Sequence, residues 1–177
     1  MLFKIAITGP ESTGKSWLSE KLAMHYNTVF VPEYARTYID RLSRPYRQHD
    51  ILSIAKGQLE SEKQYQQQAE KFLFCDTELI VTKIWSVHKY GECHPWILEK
   101  INTNRYDLFL LCNIDMPWQY DPQREHPDLR KHFFDWYKKE LDSYGFDYVI
   151  VSGLENERTR NAIDAIENHP AINKKFQ

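Results

Sequence analysis

Cysteine is scarce in this chain: three among 177 residues, Cys75, Cys93 and Cys112. Three thiols cannot all pair with one another, and none stands in a CxxC motif. Neither a disulfide framework nor a cysteine-built zinc site is therefore indicated. Cys75 and Cys112 sit inside apolar runs and read as buried thiols in a reducing compartment. A surplus of basic charge is also missing. Lys and Arg total 23 against 25 Asp and Glu, a formal net charge of −2, which gives no reason to expect nucleic acid as a partner. Long apolar runs are absent as well. Met1-Leu2-Phe3-Lys4 leads straight into a strand-like segment and Gly9, too short for a signal peptide or a membrane span. The chain is expected to be soluble and cytoplasmic. The seven histidines show no metal-ligand spacing, and no repeat, low-complexity tract or linker interrupts residues 1–177, which read as a single domain.

The sequence does hold enough apolar residues for a packed core, 42% hydrophobic and 14% aromatic. Five short apolar runs stand out: Phe3–Thr8, Val29–Glu33, Phe72–Asp76, Leu108–Ile114 and Tyr148–Val151. Runs of this length, rich in Ile, Val, Leu and Phe, suit strands buried on both faces of a parallel sheet. Helical spacing lies between them, over Lys15 to Tyr26, His49 to Lys71 and Glu155 to Asn168, with Pro170 just beyond the last. Alternating strands and helices predict a doubly wound α/β fold. Met116 to Arg130 breaks the pattern with Pro117, Pro122 and Pro127; it is expected to be a mobile loop, followed by a helix from about Asp128 to Leu141.

The sharpest local signal is Gly9-Pro10-Glu11-Ser12-Thr13-Gly14-Lys15-Ser16, a complete GxxxxGK[ST] pattern between a strand and a helix. Its glycines let backbone N–H groups turn inward around phosphate oxygens, and the helix that follows points its positive end at the same anion. Gly9, Glu11, Ser12, Thr13, Gly14, Lys15, Ser16 and Trp17 are the candidate ATP-binding residues. Lys15 would reach the β- and γ-phosphates and Ser16 would place its hydroxyl on Mg²⁺. Ser152 and Gly153, after the fifth run, could pack backbone against adenine, although a turn is needed there in any case.

Two acids end strands. Asp76 is placed either to hold Mg²⁺ or to cap a helix. Glu33 is placed either to orient and deprotonate an acceptor hydroxyl or to pair with Arg36 one helical turn on. Tyr34 and Tyr38 could line an aromatic pocket or simply pack. Arg124 and Arg130, both in the proline-broken segment after the fourth run, are candidates for a lid over the transferring phosphoryl group, roughly residues 116–130. Lys15, Glu33, Arg124 and Arg130 are thus the candidate catalytic set.

These motifs together resemble the ribosylnicotinamide kinase domain of NadR-type proteins. The likeness rests on the GPESTGKS loop, Glu33-Tyr34-Ala35-Arg36, Phe74-Cys75-Asp76-Thr77, and Pro117-Trp118 followed by Asp121 and Arg124. It covers about Leu2 to Ile166. The resemblance implies phosphorylation of the 5′-hydroxyl of nicotinamide riboside by ATP, ATP and Mg²⁺ as cofactors, and a strand order of 2-3-1-4-5. It assigns the acceptor hydroxyl to Glu33 and the lid to Arg124 and Arg130. Glu33, Tyr34, Arg36, Asp76 and Trp85 are the candidate substrate-binding residues. NadR proteins carry an adenylyltransferase domain ahead of the kinase, and some a DNA-binding domain; with the loop starting at residue 9, neither is expected here. Pro32 stands where an aromatic residue precedes the Glu-Tyr pair in the family, so Trp85, Tyr34 or Tyr46 would supply the stacking surface. A kinase for another nucleoside or metabolite, and a small regulatory ATPase, are the alternatives; no NKxD motif points to guanine. Oligomeric state is not legible.

Overall fold

The computed structural model describes residues 1–173. Strands β1 (Phe3–Thr8), β2 (Phe30–Val31), β3 (Phe72–Asp76), β4 (Leu108–Cys112) and β5 (Tyr148–Val151) form one sheet in the order β2-β3-β1-β4-β5. Every pairing is parallel, with Ile5 opposite Phe74 on one side and Leu108 on the other. The doubly wound sheet and the 2-3-1-4-5 order both hold.

The continuous apolar runs are explained by what lies on each face. Successive side chains alternate across a strand. Phe3, Ile5, Ile7, Phe72, Phe74, Leu108 and Leu110 face one layer, built by α1 (Lys15–His25) and α7 (Glu155–Glu167). Ala6, Phe109 and Leu111 face the other, built by α3 (Gln48–Gln66), α4 (Leu79–Tyr90), α5 (Pro95–Thr103) and α6 (Arg130–Tyr144). With both faces covered, no position in a central strand can be polar without a partner, so alternation disappears from the sequence. A short helix α2 (Tyr34–Asp40) follows β2, and α8 (Pro170–Asn173) closes the described chain.

Several boundaries differ from the sequence reading. The run Val29–Glu33 yields a strand of two residues, because Pro32 has no N–H for a ladder and Glu33 already stands at the N-cap of α2. The long helix stops at Gln66 rather than Lys71, and β4 stops at Cys112. After the proline-broken segment comes a 3₁₀ turn, Pro127–Leu129, before α6 begins at Arg130. Among the described residues no helix is long and apolar enough to cross a membrane.

Candidate active site

The loop between β1 and α1 is built by backbone of unusual hand. Gly9, Ser12 and Gly14 have φ of 132°, 56° and 75°. A Cβ on Gly9 would stand 3.0 Å from the carbonyl oxygen of Cys112, so β4 leaves no room for one. Gly14 caps α1 without any side-chain hydrogen bond, which leaves the first N–H groups of that helix free for an anion.

If the amides turn inward, the carbonyls must turn outward, and each then needs a donor. The structure supplies them. Lys15 Nζ donates to the carbonyls of Gly9 (2.9 Å) and Pro10 (2.8 Å), and the Thr13 hydroxyl donates to Pro10 (2.8 Å). Arg130 Nη2 donates to Ser12 O (3.1 Å) and Arg158 Nη1 to Thr13 O (2.8 Å). Arg158 is 0% exposed. It also reaches the carbonyls of Gly153 (2.8 Å) and Asn113 (3.2 Å) and pairs with Asp115. One arginine on α7 therefore ties the loop to the ends of β4 and β5. Sequence reasoning missed it, since Thr13, its partner in the phosphate loop, lies 145 residues away. Burial, Arg158 and Arg124 all depress the Arg130 guanidinium below its ordinary value, and its Nε is buried with no acceptor among the described residues. Cations crowded in this way around inward amides favour a polyanion between them.

Asp76, 1% exposed at the end of β3, lies beneath the cleft's lining rather than in it. Its Oδ1 has no hydrogen-bond partner among the described residues. Burial first, then the charge of Glu33, pushes its pKa up to about 6, while the Ser16 hydroxyl, Lys15 and Arg36 pull the other way. A buried, orphaned carboxylate beside a hydroxyl is a fit for a hard divalent cation. Among the described residues no three His, Cys, Asp or Glu side chains converge to cage a metal. A Mg²⁺ held by Ser16 and Asp76 would take its other ligands from phosphate and water. Behind it, the wholly buried Glu78 accepts from the Thr8 hydroxyl (2.8 Å) and caps α4 at Ile80 N (2.5 Å). Burial raises its pKa to about 7.

From this cradle a cleft of about 740 Å³ runs to a second, aromatic end, a size that suits a small ligand. Glu33, Ala35, Arg36 and Ile39 line one wall. Val81, Ile84, Trp85 and His88 line another; their spacing places them on one face of α4. Phe133 and Tyr137 from α6 close the third. Tyr46 completes the aromatic group, with its ring centroid 4.8 Å from that of Trp85 and its hydroxyl accepting from Trp85 Nε1 (2.9 Å). The loop that carries Tyr46 is tied down by Asp50. That carboxylate accepts from Arg47 N (2.7 Å), the Tyr38 hydroxyl (2.9 Å) and Arg44 (2.7 and 3.0 Å), and Arg44 above all holds its pKa well below the usual carboxylate range.

The candidates from the sequence sort unevenly. Lys15, Ser16, Trp17, Glu33, Arg36, Trp85 and Arg124 meet at the cleft, with Glu11, Ser12 and Thr13 in the loop. Tyr34 does not. Its ring fills the space a Cβ on Gly57 would need, 2.0 Å away, and its N–H bonds Gln58 Oε1 (3.0 Å), so it packs α2 against α3. Tyr38 is engaged with Asp50. The backbone of Gly153 is taken up by Asp115 (2.6 Å) and Arg158, and Ser152 Oγ by Asn113 (2.9 Å); Glu155 and Arg158 form the cleft wall there instead. Arg130 is spent on the carbonyls of Met116 (2.8 Å) and Ser12, so it anchors the segment's base rather than lining the cleft. Arg124 lines the cleft and donates to Gln119 O (2.6 Å).

The segment 116–126 is clipped to the cradle at several points. The Glu11 carboxylate accepts from the N–H groups of Glu125 (3.1 Å) and His126 (3.2 Å), and Ser12 Oγ accepts from Gln119 N (2.9 Å). Comparison with known proteins then decides the family: an AAA domain matches residues 4–158. The chain belongs to the AAA domain family. This AAA domain is also 30% identical, over 156 residues and 83% of the chain, to the trifunctional NAD biosynthesis/regulator protein NadR of Escherichia coli (strain K12). A NadR structure in complex with NAD and AMP-PNP superposes over 96% of the chain with a TM-score of 0.78 at 23% identity. A thymidylate kinase from Ehrlichia chaffeensis covers 99% at a TM-score of 0.63 and 14% identity. The AAA domain spans 37% of the length of the E. coli relative and 50% of the NadR chain in that structure.

Proposed function

We propose that this AAA domain transfers the γ-phosphoryl group of ATP to the 5′-hydroxyl of nicotinamide riboside, giving nicotinamide mononucleotide. The observation that carries the reading is one shared cleft: the phosphate cradle at Gly9–Ser16, the aromatic pair Trp85 and Tyr46, and the carboxylate Glu33 all line it. The relatives support it. One NadR structure holds AMP-PNP and another holds NR, and the E. coli relative is named for NAD biosynthesis. The pocket's chemistry agrees, since the pyridinium ring of nicotinamide riboside is a cation and aromatic faces attract cations. Burial, with His126 and His132, lowers the His88 pKa, so His88 stays neutral beside such a ring.

The loop amides and the N-terminus of α1 hold the β- and γ-phosphates. Lys15 swings from the carbonyls of Gly9 and Pro10 onto their oxygens. Ser16 and Asp76 are the residues that would hold Mg²⁺, which supplies charge neutralisation of the β- and γ-oxygens. Glu33 accepts the proton of the acceptor hydroxyl. That oxygen bonds to the γ-phosphorus while the bond from phosphorus to the bridging oxygen breaks, and ADP leaves. Arg124, on the segment over the cradle, faces the charge on the transferring group.

A substrate panel tests the reading. With Mg·ATP, ADP release should depend on nicotinamide riboside and exceed that with thymidine or deoxyadenosine. Turnover with those nucleosides but not with nicotinamide riboside would assign a different acceptor. Equal release with and without any acceptor would make the domain an ATPase.

A further inference from the structure

The acceptor carboxylate and the segment over the cradle share one arginine. Arg36 Nη1 donates to Asp121 Oδ2 at 2.8 Å, while Arg36 Nε keeps only a long ion pair with Glu33 Oε2, 3.8 Å and beyond hydrogen-bond reach. Asp121 belongs to segment 116–126; Glu33 and Arg36 belong to the N-terminal turn of α2. Asp121 is well prepared as an acceptor. Its Oδ1 is fixed by Gln123 N at 2.9 Å, and that contact first, then Arg36, lowers its pKa, so it is charged at neutral pH. Gln123 adds a second tie between the same two elements, donating to Asp40 Oδ1 at 2.6 Å.

We propose that Asp121 is a positioning residue that draws Arg36 off Glu33, so that the acceptor carboxylate is released for proton transfer only when segment 116–126 lies on the cradle. The inference rests on Glu33 as the proton acceptor proposed above. Two carboxylates compete for one guanidinium. With the segment lifted, Asp121 leaves, and of the anions still acting on Arg36, Glu33 and Asp76, Glu33 stands one helical turn away, already at 3.8 Å and at a spacing that favours a closer ion pair. A carboxylate held by arginine is a poorer base, because the charge-assisted bond stabilises its ionised form. With the segment down, Arg36 turns to Asp121 and Glu33 faces the cleft. The clips at Glu11 and Ser12 complete the logic: the same closed position covers the phosphates and frees the base, so acceptor activation follows nucleotide enclosure.

The proposal predicts an unusual pattern of suppression. Asp121→Ala should lower kcat at saturating nicotinamide riboside by about tenfold and leave the KM for ATP within about twofold. Adding Arg36→Gln to Asp121→Ala should recover kcat at least about threefold over the single variant, because no guanidinium is left to hold Glu33. Asp121→Glu, which keeps the ion, should stay near the wild type. A simple structural tie predicts the opposite, with the double variant no better than Asp121→Ala, and that result would overturn the proposal. A crystal structure of Asp121→Ala with AMP-PNP gives a second readout that does not depend on the acceptor. Arg36 should close on Glu33 to about 3 Å, and a guanidinium still apart from Glu33 refutes the coupling. If instead the wild type fails to turn over nicotinamide riboside, the acceptor assignment falls, and the crystallographic distance still decides the coupling.

Discussion

At one end of the cleft the chemistry is made of backbone, and at the other of side chains. The phosphate cradle takes its shape from the left-handed turns at Ser12 and Gly14 and from the β4 backbone pressed against Gly9. Side chains there serve mostly to satisfy the carbonyls that such a turn exposes. The acceptor end has no such skeleton. It is a convergence of Ile39, Tyr46, Val81, Trp85 and Phe133 from four separate segments, and it is held by ties such as Asp50 to Arg44 and Trp85 to Tyr46. The difference teaches where tolerance to change should lie. A backbone cradle has few residues it can vary, whereas a side-chain pocket can be re-cut one residue at a time.

The largest effect should come from the residue between the ends. Glu33→Gln is expected to lower kcat by roughly 10²–10⁴-fold, the range for loss of a general base, while titration shows ATP affinity little changed. A kcat near that of the wild type would move the proton acceptor elsewhere. Next, Lys15→Ala should cost roughly 10²–10³-fold in turnover through lost charge stabilisation and should weaken ATP binding in the same titration. Full activity would mean that the cradle works by amides alone. At the acceptor end, Trp85→Ala should raise the KM for nicotinamide riboside roughly tenfold, about 1.4 kcal/mol, and leave the KM for ATP unmoved. An equal rise in both would show that the two ends are not independent.

One effect is read in stability rather than turnover, and it concerns the acids beneath the cradle. Glu78 and Asp76 are raised in the folded chain, to about 7 and about 6, so between about pH 4 and 7 the folded protein binds more protons than the unfolded one. Their contribution favours folding at low pH and is lost as pH rises through those values, the reverse of an ordinary ion-paired carboxylate. For Glu78 the rise from 4.5 amounts to about 3 kcal/mol at most. Glu78→Gln keeps an acceptor for Ile80 N, so the variant should melt higher than wild type at pH 8 and nearly with it at pH 5. Parallel melting curves at both pH values would show that Glu78 is not the source.

The same contrast governs what could be read from residues alone. Gly9 to Ser16 forms a contiguous run whose chemistry is local, so the loop, its helix and the sheet around it follow from pattern and spacing. Asp76 was legible as an acid at a strand end, and Glu33 as an acid after the second run, although it stands at the N-cap of α2, two residues past β2. In the aromatic wall Trp85 and Tyr46 were named through the family resemblance, but Phe133 was not, because nothing in the local sequence marks a core aromatic that also lines a cleft. Tyr34 shows the hazard: it stands in a motif beside Glu33, yet its ring belongs to the groove left by Gly57. The clips at Glu11 and Asp121 and the strut at Arg158 join residues 85 to 145 positions apart, and no periodicity encodes such partners.

Arg158 has a practical corollary for anyone trimming this domain. A polypeptide cut just after Val151 would keep every strand and every motif residue ahead of the cut, including the whole of Gly9–Ser16. It would nevertheless lose the guanidinium that fastens Thr13 to the far edge of the sheet. Such a fragment should look complete in any alignment of motifs and still grip nucleotide loosely.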